Sequence, residues 1–99
     1  MKTVNAVHLS DIDNCVTLTG PADAGDAICF TENKTNMTVI ARANVPIWHK
    51  IAITPIKRGA VIYKYGAGIG LAVENIEPGD HVHIHNIRSP IRDERGIER

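Results

Sequence analysis

Ile76-Glu77-Pro78-Gly79-Asp80-His81-Val82-His83-Ile84-His85-Asn86-Ile87 is the stretch that decides how the chain folds. Pro78 followed by Gly79 is the pair that tight-turn geometry prefers. Behind the turn, polar and apolar residues alternate with a period of two from His81 to Ile87. That period predicts a strand, with Val82 and Ile84 on one face and His81, His83 and His85 on the other.

The same texture continues outward. Thr3 to His8, Cys15 to Thr19, Ala27 to Phe30, Met37 to Ala41, Ile51 to Ile53 and Val61 to Tyr63 read as short strands. Leu71 to Val73 continues the apolar pattern. Polar turns separate them at Ser10 to Asn14, Gly20 to Asp26, Glu32 to Asn36 and Pro55 to Gly59. No segment offers an amphipathic helix of about twelve residues. Frequent short strands with Gly and Pro turns predict a small, mainly β domain. One domain is expected over residues 1–87, with a polar tail over 88–99. No internal repeat is evident.

Composition sets the outer limits. Ninety-nine residues allow one domain with a modest core. Aromatic residues make up 4% of the chain, so Val, Ile, Ala and Leu must build that core. Eleven basic residues balance eleven acidic ones, and no basic stripe marks a nucleic-acid surface. Arg88, Arg92, Arg95 and Arg99 are interleaved with Asp93, Glu94 and Glu98, which suits a solvated tail. Cys15 and Cys29 have neither metal-ligand spacing nor the number for a disulfide framework. No run reaches the roughly 20 apolar residues that span a bilayer, and the N-terminus carries no secretory pattern. A cytoplasmic location is expected.

Several clusters could carry chemistry. Neutral imidazole is the commonest metal ligand, so the three histidines are candidates for a metal or for a polar, ligand-facing strand face. On a flat strand His81 and His85 would stand about 13 Å apart, too far for all three to share one ion. His49-Lys50 sits where a loop enters a strand, a place suited to acid–base or carboxylate-anchoring groups. Gly66, Gly68 and Gly70 lack the order of a phosphate loop and no long helix follows them. They read instead as bends or points of close backbone approach. Asp11, Asp13 and Asn14 lack the calcium-loop pattern and read as a structural turn.

Three runs together resemble a known family. Pro46-Ile47-Trp48-His49-Lys50-Ile51-Ala52 is similar to P-x-G-H-K-[VI]-A. Val61 to Gly70 is similar to V-I-x-Y-G-x-x-I-G, with one extra residue between Ile62 and Tyr65. Ile76 to Asn86 is similar to I-x-x-G-[ED]-H-V-H-x-H-N. Their order and separation match too, over about residues 10–87. The family is the altronate and galactarate dehydratases, in particular their N-terminal SAF domain; separate-chain versions include the small subunit of sulfolactate sulfo-lyase. Two positions depart from its pattern. Ser10 stands where a His often precedes the Asp-Asn pair, and Trp48 replaces the glycine before His-Lys.

The resemblance implies a β-clip fold and a two-part lyase. This chain would be the small subunit, a reading that Met1 and the charged tail favour, and a large catalytic subunit would be a separate polypeptide. The implied reaction removes water from a sugar acid or related hydroxy acid, with divalent iron or manganese as cofactor. His49 and Lys50 are the expected catalytic residues. His49, His83 and His85 are the expected metal ligands, and Lys50, His83, His85 and Asn86 the expected substrate contacts. Elimination of sulfite and a non-catalytic substrate-binding or lid module are the alternatives. Neither nucleic acid nor membrane is an expected partner, and self-association stays open.

Overall fold

The computed structural model describes residues 1–88. Its strands are β1 (Thr3–Val7), β2 (Cys15–Leu18), β3 (Ala27–Glu32), β4 (Thr35–Ile40), β5 (Lys50–Ala52), β6 (Val61–Lys64), β7 (Ala67–Ala72), β8 (His81–Val82) and β9 (Ile87–Arg88). Six of them form one sheet in the order β4-β3-β1-β2-β5-β8, and β6-β7-β9 form a second. Among the described residues only β1 and β3 pair in parallel. The domain is mainly β, with short strands in two sheets as a β-clip requires. Among the described residues no helix is long and apolar enough to cross a membrane. Arg88 pairs with Leu71; the rest of the expected polar tail lies outside the described residues.

Two strands hold the halves together. β2 is buried along its whole length. Val16 and Leu18 enter one apolar cluster with Val4, Ile28, Phe30 and Ile51. Cys15 enters a second with Ile56, Ile62, Ile76 and Val82. β5 does the same, with Ile51 facing the first cluster and Ala52 the second. Both strands therefore place alternate side chains in different cores, as a period of two dictates. Burial pushes the Cys15 thiol up to about 12, so it stays an unreactive core group.

The structure contains a repeat that the sequence hides. Four five-residue turns share one geometry: Ala22 to Asp26, Val45 to His49, Ile56 to Ala60 and Ile76 to Asp80. Each starts on a buried residue, and these residues pair as Ala22 with Val45 and Ile56 with Ile76. In each, the fifth N–H donates to the second carbonyl. In each, the fourth residue has positive φ: Gly25 (94°), Trp48 (71°), Gly59 (86°) and Gly79 (95°). A type II turn requires this. The fourth N–H donates to the carbonyl of a buried residue, respectively Ala41, Leu18, Ala72 and Ala52, whose own N–H donates back to the fifth carbonyl. Two backbone bonds thus lock every turn. At Gly79 a Cβ would collide with the Ile40 carbonyl. At Trp48 the left-handed backbone costs roughly 1–2 kcal/mol relative to the right-handed one.

The two hairpins close on pairs of positive-φ residues, Asn33-Lys34 and Tyr65-Gly66, as type I′ turns need. Asp13 and Asn14 fasten the second hairpin to the larger sheet. The buried Asp13 carboxylate accepts from the N–H groups of Tyr65 (2.7 Å) and Gly66 (2.8 Å). The Asn14 amide accepts from Tyr63 N–H (2.8 Å) and donates to the Val61 carbonyl (3.0 Å), standing in for a strand partner. The acidic turn is structural, as its sequence suggested. Gly70 is a point of close approach, since a Cβ there would stand 2.8 Å from the Arg88 carbonyl.

The expected strand over His81–Ile87 is corrected. It ends at Val82, and the chain turns through residues 83–86 before β9 begins. Asn86 is the reason. Its buried amide donates to the His81 carbonyl (2.8 Å) and accepts from His83 N–H (2.9 Å), folding the chain back on itself.

Replacing Asp13 with Ala leaves two turn N–H groups without their charged acceptor. Urea unfolding should show a loss of about 2 kcal/mol, with Asp13→Asn losing less. An unchanged midpoint for Asp13→Ala would contradict the fastening role.

Candidate metal centre

The site is assembled by one strand pair. β5 and β8 run antiparallel with Lys50 opposite Val82 and Ile51 opposite His81. Extending that register one step sets His49 opposite His83. Cross-strand neighbours of this kind share a face, and the two rings stack with centroids 4.2 Å apart. His81 lies on the same face two residues back, and its Nε2 is 2.9 Å from His49 Nδ1. One nitrogen from each of His49, His81 and His83 falls within 4.8 Å of the others. All three side chains are partly buried.

The turn chemistry explains why a histidine can stand at position 49. In the first and fourth turns the fifth residue is Asp26 or Asp80, and its carboxylate accepts from the N–H of the second residue, Asp23 or Glu77. In the second turn that residue is Pro46, which has no N–H to satisfy. The fifth position is released from capping, and His49 occupies it.

Electrostatics favour the neutral forms of His81 and His83. Burial, and then the mutual repulsion of His49, His85 and His83, lower His81 to about 4. His83 is lowered by burial, His49 and Lys50. Neutral imidazoles offer lone pairs, and three that crowd together without a carboxylate suit a divalent ion of the zinc, iron or manganese kind. Metal–nitrogen bonds near ~2.1 Å would place ligand nitrogens roughly 3–3.5 Å apart, so small ring rotations suffice.

The expected residues are distributed unevenly. His49 and His83 are in the cluster. His81, which was not among the expected ligands, completes it. His85 is exposed, with its ring 5.2 Å from that of His81, and contributes no atom to the close group. A flat strand would have separated these histidines; the turn at 83–86 changes the geometry. The nearest sequence signal for this was Asn86 itself, a turn-forming residue five places after His81. Asn86, expected to touch substrate, has both ends of its amide engaged within the turn. Successive strand residues face opposite ways, so Lys50 diverges from His49. It is half-buried, and its pKa is lowered by burial and then by Lys64. A surface trough lined by Asn5, Phe30, Asn36 and Met37 among others sits on β1, β3 and β4, at the far end of the sheet from the histidines.

Comparison with known proteins bears directly on this site. Residues 4–90 match the family model described as the altronate/galactarate dehydratase SAF domain. The chain belongs to this family. As a SAF domain it is 47% identical over 58 residues to altronate dehydratase of Escherichia coli (strain K12), a match covering 59% of this chain and 12% of that protein. It is 37% identical over 59 residues to (2R)-sulfolactate sulfo-lyase subunit alpha of Paracoccus pantotrophus, covering 60% of this chain and 88% of the relative. Altronate dehydratase of Bacillus subtilis (strain 168) is 44% identical over 45 residues, 9% of its length. The SAF domain thus matches a small part of long chains and nearly all of a short one.

The pH response of the metal-free SAF domain follows from His81. Unfolded, this histidine takes a proton near 6.5; folded, only near 4. Between those values the unfolded state binds more protons, so stability falls as pH drops from 6.5 towards 4. Urea midpoints measured at pH 7 and pH 5 should differ less in His81→Asn than in the unaltered chain. Equal pH slopes in the two would contradict the assignment.

Proposed function

We propose that this chain is the small subunit of a two-part lyase that eliminates water from a sugar acid or related 2-hydroxy acid, with a larger chain completing the active site. The observation carrying this reading is the convergence of His49, His81 and His83 in a domain of the dehydratase family. The three imidazoles hold a divalent ion, iron or manganese. Once bound, that ion supplies Lewis-acid polarisation of the substrate oxygens.

The chain's own residues do the rest of their work around that centre. His81 and His83 stay neutral at pH 7, so their lone pairs are available for ligation. His49 acts as a ligand in the loaded site, and the base that takes the C–H proton beside the carboxylate comes from the larger chain. Lys50, on the opposite face of β5 from His49, takes no part at the cluster itself. Asn86 holds His81 and His83 at their spacing. His85, at the exposed edge, meets the substrate or the larger chain. A second reading keeps the site and changes the leaving group to sulfite. The match to 88% of a sulfo-lyase alpha subunit favours it. A lid role without a metal remains the non-catalytic alternative, and metal analysis separates it from both.

Two measurements test the proposal. In the enzyme reconstituted with its larger chain, His49→Ala should lower turnover at least roughly 100-fold, beyond the loss typical of residues that merely support a metal ligand. Near-normal turnover would sink its role. Asn86→Ala should weaken divalent-metal affinity about 10–100-fold in chelator competition while the β-rich circular dichroism persists. Unchanged affinity in a folded variant would refute the positioning role.

A further inference from the structure

The four locked turns isolate one residue that the fold itself does not explain. Three of them place glycine at the left-handed position, and the fourth places Trp48 there with φ 71°. Leu18 fixes this backbone from both sides: Trp48 N–H donates to its carbonyl (2.9 Å), and its N–H donates to the carbonyl of His49 (2.9 Å). The chain therefore cannot relax to a right-handed conformation. The strained residue gains little burial in return, since Trp48 is 64% exposed. Strain held by surrounding structure, without packing to offset it, concentrates at functional sites. Trp48 directly precedes His49, a member of the three-histidine cluster. Ile84, adjacent to His83, is 81% exposed beside the same cluster.

We infer that Trp48 is the specificity-determining wall of this site, its indole packing against the carbon chain of the bound hydroxy acid. The inference rests on the proposed reading of the site as one that takes such acids. A polyhydroxy acid presents C–H faces between its hydroxyls, and an indole offers an apolar face with one polar N–H at its rim. The imidazoles of the cluster provide the polar partners beside it. With the polar end of the acid held at the histidine cluster, contact with the indole grows with the number of carbons beyond it. Trp48 thereby favours longer acids. A macromolecular partner, the competing occupant of an exposed indole, matches the mixed polar and apolar surface less well, because three imidazoles interrupt it.

Trp48 is the sole tryptophan of the chain, so its emission reports on this position alone. The full chain is loaded with Zn²⁺ and titrated with lactate, glycerate, threonate and gluconate, following emission and, in parallel, heats of binding. Saturable emission changes are expected, with affinity rising several-fold from lactate to gluconate. Trp48→Phe should keep that ranking. Trp48→Gly should lose it while melting higher, by roughly 4–8 °C for about 1 kcal/mol of relieved strain in a domain this size. A purely structural tryptophan would show neither change in ranking. The inference is overturned by emission that no acid moves, by emission that moves only when a protein partner is added, or by Trp48→Gly with the original ranking. Turnover separates the two readings. Acid binding without lyase turnover in the reconstituted enzyme sinks the lyase reading alone, whereas turnover with unmoved emission sinks the role of Trp48 alone.

Discussion

A left-handed residue clamped by two backbone hydrogen bonds is the constraint on which this domain depends. It occurs at Gly25, Trp48, Gly59 and Gly79. Each clamp delivers the chain from a buried bridge residue into the next strand at a fixed angle. The clamps at Trp48 and Gly79 launch β5 and β8, the two strands whose pairing creates the histidine cluster. The site is thus a consequence of turn geometry. Two of its three histidines sit at the exits of these turns: His49 closes the second turn, and His81 follows the fourth directly.

The same logic explains the division of labour among neighbouring residues. Asp26 and Asp80 cap their turns, whereas Pro46 removes the donor that would need a cap and leaves His49 available. Asn86 converts what would be a straight strand into a hook, which brings His81 and His83 to one point and turns the chain into β9. Asp13 and Asn14 secure the opposite hairpin by equivalent means, with side chains supplying the acceptors and donors that a strand would otherwise provide. Asn86, which the sequence suggested for substrate contact, holds the backbone here, as Asp13 and Asn14 do.

Much of the fold was legible from the chain. The polar turn around Asn33-Lys34 and the aliphatic character of the core follow from local residue preferences, whereas the hairpin at Tyr65-Gly66 read only as a bend. The fourfold turn was hidden because its defining feature is a backbone angle. Trp48 breaks the glycine pattern, and Ala22 is too small to advertise a buried anchor. The candidate site was half legible. His49 and His83 stood out by position, but the role of His81 depended on Asn86 reaching back five residues, which a period-two reading of Val82 and Ile84 overrides. Ile84 is exposed rather than buried, so that alternation carried no strand beyond Val82.

The central claim is that one chain supplies three ligands and that His81, not His85, is the third. Visible absorption of the full chain during Co²⁺ titration tests it directly. One bound ion per chain is expected, with ligand-field bands that persist in His85→Ala and vanish in His81→Ala. Bands that survive loss of His81 but vanish with loss of His85, or their absence from the unaltered chain, would contradict it.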